Sequence, residues 1–175
     1  QQRIFEVCTK KNCLVVLPTG LGKTLIALML AIERIKKFPK EKVVFLAPTK
    51  PLAEQHLFYF KNNLPELFGA MELFTGEIPP EKRKELWNSA DLVFSTPQCV
   101  ANDVRKGLYN LEEVSLLIED EAHRCIKNYS SRPGIININY CSETIIILYK
   151  GRIQDIFKTP ILSKINKYLA HTGIL

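Results

Sequence analysis

Short strand-like runs separated by helix-patterned stretches constrain this chain more than any other feature of its sequence. Cys13–Leu17, Val43–Ala47, Leu92–Ser95 and Val114–Ile118 are built almost wholly from Val, Leu, Ile, Phe and small residues, and Met71–Phe74 is a shorter member of the set. A continuous apolar run of four or five residues predicts a strand covered on both faces. Between the runs, Lys23–Lys37 carries Leu25, Ile26, Leu28, Met29, Ile32 and Ile35 at helical spacing and ends in basic residues before Pro39. Leu52–Phe60 follows Pro51 at a first-turn position, Pro80–Trp87 is rich in Glu and Lys, and Gln98–Lys106 reads as a fourth helix. Strand–helix–strand repetition with apolar strands predicts an α/β fold, a mainly parallel sheet between two layers of helices.

In such sheets ligands sit beyond the carboxyl ends of the strands, so the informative loops follow Leu17, Ala47, Phe74, Ser95 and Ile118. The first is Leu17-Pro18-Thr19-Gly20-Leu21-Gly22-Lys23-Thr24. Gly20 and Gly22 let the backbone curl so that successive N–H groups face inward as an anion nest, and the helix that follows adds the positive end of its dipole. Lys23 reaches β- and γ-phosphates, and the Thr24 hydroxyl suits a Mg²⁺ position. Leu17 stands where the common phosphate-loop pattern has its first Gly. The alternative is a chance glycine turn with a solvated lysine.

The last strand runs into Glu119-Asp120-Glu121-Ala122-His123. A carboxylate placed just past a buried strand and beside a phosphate loop can hold Mg²⁺, and Glu121 is then placed to orient and deprotonate a water. His123 is a candidate to sense that site. Standing alone, such an acidic run is an ordinary solvated turn. Three further loops offer hydroxyls and helix-start N–H groups: Thr49 and Lys50, Thr75 and Gly76, and Thr96. Singly each is a cap or turn. Together along one sheet edge they suit a run of phosphodiesters and carry no sequence code.

Composition narrows the choices without deciding among them. The chain has 175 residues, 46% hydrophobic and 24% charged, with a net charge of +6, enough for one domain with a core of its own. The basic excess, concentrated in residues 132–175, suits a nucleic-acid partner. No apolar run reaches the ~18 residues that cross a bilayer, so no membrane partner is expected. Cys8, Cys13, Cys99, Cys125 and Cys141 show no CxxC spacing and read as buried thiols of a cytoplasmic protein.

As an ordered set, Leu-Pro-Thr-Gly-Leu-Gly-Lys-Thr, Ala-Pro-Thr-Lys-Pro-Leu-Ala-Glu-Gln-His, Thr-Gly-Glu, Ser-Thr-Pro-Gln and Asp-Glu-Ala-His-Arg resemble motifs I, Ia, Ib, Ic and II of superfamily 2 helicases of the DEAD/DEAH type. Within them the chain is most similar to the archaeal Hef/FANCM-type DNA helicases, which remodel forked and branched DNA. The resemblance covers residues 1 to about 129. It implies the N-terminal RecA-like lobe of a P-loop NTPase with ATP and Mg²⁺ as cofactors. It places the nucleotide on Gln1, Pro18, Thr19, Gly20, Leu21, Gly22, Lys23 and Thr24, with Gln1 at the family's adenine-reading glutamine. It assigns magnesium to Thr24, Asp120 and Glu121 and catalysis to Glu121, Lys23 and His123. Thr49, Lys50, Thr75, Gly76 and Thr96 fall on the family's contacts to one strand of branched or single-stranded DNA.

The chain departs from that pattern in two places. Glu119 stands where the family keeps an apolar residue and is expected to point away from magnesium. Residues 131–175 contain no recognisable motif III. Arg132-Pro133-Gly134 marks a break, Ile135–Tyr140 alternates like a strand, Thr144–Tyr149 is a solid apolar run, and Thr159-Pro160 opens a helical pattern. The expected organisation is therefore a helicase ATP-binding domain over residues 1–130 and a divergent tail over 131–175 that is able to complete the sheet. The chain opens on Gln1 without Met, and no second RecA-like domain with its arginine finger is present. The expectation is a piece of a longer protein that binds ATP·Mg²⁺, hydrolyses it weakly and does not unwind DNA by itself. Three functions are compatible with these residues: the ATP-binding lobe of a DNA translocase, a silent nucleotide- or nucleic-acid-binding module, and an RNA helicase of the DEAD/DEAH type.

Overall fold

In a computed structural model, residues 1–18 and 20–121 are described, together with the backbone of 144–149. The expected strands Ile135–Tyr140 and the helix after Thr159 lie outside the described residues. The chain order is α1 (Gln2–Cys8), β1 (Cys13–Val16), α2 (Lys23–Lys37), β2 (Lys42–Leu46), α3 (Lys50–Asn63), β3 (Met71–Phe74), α4 (Pro80–Ser89), β4 (Leu92–Ser95), α5 (Pro97–Arg105), β5 (Val114–Asp120) and β6 (Thr144–Tyr149). The strands form one sheet in the order β1-β6-β5-β2-β4-β3. β2 pairs in parallel with β4 and β5, and β3 with β4. β6 lies antiparallel between β1 and β5. The sheet is thus mainly parallel, as the alternation of apolar runs and helices predicts.

The core divides along the two faces of that sheet. Val43, Phe45, Leu92, Phe94, Leu116 and Ile118 pack with Ile26, Leu28 and Leu30 of α2 and Leu57 and Phe60 of α3. Val44, Leu46, Val93 and Leu117 pack with Trp87 of α4 and Cys99 and Val100 of α5. Strand residues alternate between faces, so the apolar residues of β2, β4 and β5 feed both cores at once. Phe45, Phe60 and Phe94 meet with ring centroids 5.1–5.7 Å apart, each burying an aromatic side chain worth about 1.5–3 kcal/mol.

Three sequence expectations are corrected. β1 is not covered on both faces: only Val15 is buried and Val16 is 49% exposed, because β1 ends the sheet among the described residues. The buried face of α2 centres on Ile26, Ala27, Leu28, Leu30, Ala31 and Arg34, while Leu25, Met29, Ile32 and Ile35 are half-buried. Small alanines let the helix approach the sheet, and buried Arg34 donates through Nη2 to the Ser115 carbonyl at 3.1 Å. Cys13 is half-buried, whereas Cys8 and Cys99 are buried. α1, absent from the expectations, forms from Gln2 to Cys8 and packs on α2.

Candidate functional site

Apart from Gln1, which precedes α1, the described residues that the sequence singles out lie at or beyond strand ends. β1 ends at Val16, and α2 begins at Lys23 with Gly22 as its N-cap. Gly20 and Gly22 adopt φ +78° and +86°, a left-handed geometry that costs other residues about 1–2 kcal/mol each. The close approach at Gly22 is specific: a Cβ there would lie 2.3 Å from Gln1 Nε2. That amide donates to the Leu21 carbonyl at 3.0 Å, so α1 brings Gln1 onto the loop. Lys23 Nζ donates to the Leu17 carbonyl at 2.8 Å, spanning the loop from its last residues to its first. An ammonium has three donors, so a phosphate can share or replace that bond. Thr19 lies outside the described residues. Pro18, Gly20 and Leu21 are exposed, and Thr24 is half-buried.

The acidic residues begin on the strand itself. β5 extends past Ile118 to Asp120 because Glu119 finds strand partners on both sides and Asp120 on one: Leu46 of β2 faces Glu119, and Ile146 and Ile145 of β6 face Glu119 and Asp120. Val15 of β1 and Asp120 of β5 both face Ile145. They share one row of the sheet, two strand spacings or about 10 Å apart. This register puts the phosphate loop and the carboxylates at the same end of the molecule. Asp120 is 7% exposed, and its Oδ2 lies 2.7 Å from His56 Nε2 of α3. Glu121, the next residue, turns at φ +51°, a strained conformation for a residue with a Cβ. Glu119 is 2% exposed and, by strand alternation, faces away from Asp120. His123 lies outside the described residues.

The nucleic-acid candidates sit beyond β2, β4 and β3, which are neighbours in the sheet. Thr49 caps α3 in extended geometry without spending its hydroxyl on the helix. Lys50 Nζ lies 2.5 Å from Glu77 Oε2 and 3.8 Å from Glu54 Oε1, and its hydrogen bond to Glu77 holds its pKa above the ordinary lysine value. Thr75 is 7% exposed, Gly76 is exposed, and Thr96 Oγ1 caps α5 by accepting from the Cys99 N–H at 3.4 Å. The hydroxyls therefore differ: that of Thr49 is available, that of Thr96 serves its helix, and Thr75 is largely covered.

Two contributors escaped sequence reasoning. Arg83 of α4 donates through Nη1 to the carbonyls of Thr75, at 3.0 Å, and Ile78. It forms a two-pronged bond to Asp103 of α5 at 2.5 and 2.6 Å, bracing the Thr75–Ile78 turn. The other is His56, which stands in the apolar stripe Ala53, His56, Leu57, Phe60. A polar residue at a core position of a helix is a legible signal, overlooked because its partner is 64 residues away.

The arrangement suits a magnesium-bound triphosphate. Two left-handed glycines form a cradle in which a side chain at Gly22 would strike Gln1, a lysine closes it, and hard oxygen donors from Thr24, Asp120 and Glu121 are the kind that Mg²⁺ takes. Among the described residues no helix is long and apolar enough to cross a membrane.

The chain is 39% identical over 150 residues to the ATP-dependent DNA helicase MPH1 of Candida albicans, covering 85% of this chain and 12% of that protein. It is 44% identical over 123 residues to the putative ATP-dependent RNA helicase MJ1505 of Methanocaldococcus jannaschii, covering 70% of this chain and 16% of the relative. The Pyrococcus furiosus Hef helicase domain superposes with a TM-score of 0.65 at 48% identity, over 73% of this chain and 27% of that structure. The chain thus spans under a fifth of these two curated relatives. A family model described as DEAD/DEAH box helicase matches residues 1–149, and with that match, the RecA-like sheet and the phosphate loop in place, the chain belongs to the DEAD/DEAH box helicase family.

Proposed function

We propose that this chain is the ATP-binding lobe of an ATP-dependent helicase or translocase that acts on branched or forked DNA and couples ATP hydrolysis to strand movement. The observation that carries the reading is the shared row of β1 and β5, which sets the glycine cradle and Asp120 at one end of the sheet. Gln1 reads the base, Pro18, Thr19, Gly20, Leu21, Gly22, Lys23 and Thr24 surround the phosphates, and Thr24, Asp120 and Glu121 hold Mg²⁺. When bound, the cation neutralises charge on the phosphates. Glu121 orients a water and takes its proton, and His123 follows the state of the site. Thr49, Lys50, Thr75, Gly76 and Thr96 form a backbone-tracking track at the neighbouring strand ends, and that placement supports a single strand lying across β2, β4 and β3.

Similarity to a protein called a DNA helicase and to a solved Hef helicase domain supports DNA as the substrate. RNA is the second reading, because MJ1505 is described as an RNA helicase and contacts to phosphate do not separate the two polymers. Calorimetry on Lys23→Ala tests the nucleotide assignment. Losing a charge-assisted bond should weaken ATP binding about 10- to 150-fold; equal affinity for both forms removes the phosphate-loop assignment. Competition between fork DNA and an RNA duplex of matched length, at fixed salt, decides the polymer.

A further inference from the structure

Asp120 is held from an element that carries none of the nucleotide contacts. His56 lies two turns into α3, with Nε2 2.7 Å from Asp120 Oδ2 and both side chains about nine-tenths covered. Its ring rests on Phe45 of β2, with centroids 4.4 Å apart and planes tilted by 35°, and Phe45 is fixed in turn by Phe60 and Phe94. An imidazole and a carboxylate in such surroundings are costly unless each satisfies the other. An ionised carboxylate only accepts, so the Nε2–H of His56 donates. That bond uses one of the roughly four acceptor positions of the carboxylate.

We propose that His56 is a positioning residue for the divalent cation of the nucleotide site: its Nε2–H fixes Asp120 Oδ2 and leaves Oδ1 for the cation. The inference deepens the nucleotide reading above and rests on it. Ligating carboxylates are themselves hydrogen-bonded, and loss of such an outer partner weakens metal binding about 10- to 100-fold. Placement on α3 adds a mechanical link. Lys50 opens the same helix, six residues or about 9 Å along the axis from His56. One rigid element therefore touches the proposed nucleic-acid track at its first residues and the cation ligand in its second turn.

The test measures Mn²⁺ affinity by electron paramagnetic resonance in the presence of ADP, and ADP affinity in EDTA by calorimetry. His56→Leu should weaken Mn²⁺ binding about 10- to 100-fold and leave metal-free ADP binding unchanged. His56→Gln, whose amide N–H donates over a similar reach, should keep most of the Mn²⁺ affinity. Should His56→Leu lose its cooperative melt, His56→Asn, too short to reach Asp120, is measured in its place with the same expectation. Wild-type Mn²⁺ affinity in the variant lacking the bond overturns the inference, as does an equal loss in the Gln variant, which would mark a packing role. Lys23→Ala is run alongside. Unchanged ADP binding there overturns the nucleotide reading and this inference with it. Loss of ADP binding there, with wild-type Mn²⁺ affinity in His56→Leu, overturns the His56 inference alone.

Discussion

Arg83→Met is the substitution whose consequences the structure determines most closely. The side chains of Arg83 and Asp103 are 6% and 0% exposed, and the guanidinium meets the carboxylate with Nε and Nη2 at 2.6 and 2.5 Å. The Asp103 bond holds the guanidinium pKa above its ordinary value. Removing Arg83 leaves a buried carboxylate with the Tyr109 hydroxyl, 3.2 Å away, and a loss of about 3–5 kcal/mol is expected for such a broken pair. With a urea m-value of about 2 kcal/mol/M, the unfolding midpoint falls by about 2 M. Trp87 is the one tryptophan in the chain; it is 1% exposed and stacked on Tyr109 at 4.0 Å and 7°, so its fluorescence reports the transition. Arg83→Met with Asp103→Leu removes both charges and should return to within about 1 kcal/mol of the parent. The double variant still lacks the bonds to the Thr75 and Ile78 carbonyls. Its stability therefore recovers while its affinity for single-stranded DNA stays low, which separates bracing of the turn from folding. A single variant losing under about 1 kcal/mol, or a double loss equal to the sum of the singles, would refute a coupled pair.

Glu121→Gln should abolish phosphate release while leaving ATP affinity intact; turnover persisting in that variant means another group activates the water. Glu77→Gln replaces the charged 2.5 Å partner of Lys50 by a neutral acceptor and removes a negative charge from the proposed track. Single-stranded DNA affinity should rise a few-fold at low salt, and an unchanged or lower affinity in fluorescence anisotropy argues that Lys50 does not meet phosphate. Burial, then the hydrogen bond with Cys13, pushes the Cys8 thiol from its ordinary 9.0 up to about 12, and burial raises Tyr109 as well. Above pH 9 the unfolded chain gives up protons that the folded one keeps, so stability falls as pH rises. A loss of about 1–2 kcal/mol between pH 8 and 10.5 should show in urea unfolding; a flat profile contradicts the burial of these groups.

Much of the frame is legible in the sequence because its central strands β2, β4 and β5 are buried on both faces, which writes them as largely apolar runs. Met71–Phe74, Leu92–Ser95, Thr144–Tyr149 and Lys23–Lys37 match the observed bounds to the residue. The helix faces are harder. In α2 the sheet is approached by Ala27 and Ala31, which carry little hydrophobic signal, so counting large apolar residues turns the helix too far. The site is legible where one loop holds all its parts, as in Gly20 to Lys23. It is illegible where the parts come from separate elements. Nothing local marks Arg83 as the brace of the Thr75 turn or His56 as the partner of Asp120, because both pairings exist only once the helices are stacked on the sheet.

The parity of β5 explains how an extra carboxylate at position 119 is kept apart from the proposed cation site. Ile118 belongs to the face packed by α2 and α3, and Leu117 to the face packed by α4 and α5. Because strand side chains alternate, Asp120 follows Ile118 to the side where α2 opens after the glycine cradle and where His56 waits on α3. Glu119 follows Leu117 to the other side. Two adjacent carboxylates on a loop would be free to converge and repel near one cation. Held in register by Leu46 on one flank and by Ile146 and Ile145 on the other, they are separated by the thickness of the sheet. The pairing that carries β5 two residues past its last aliphatic side chain is thus what sets Asp120, rather than Glu119, on the side of the sheet that faces α2 and α3.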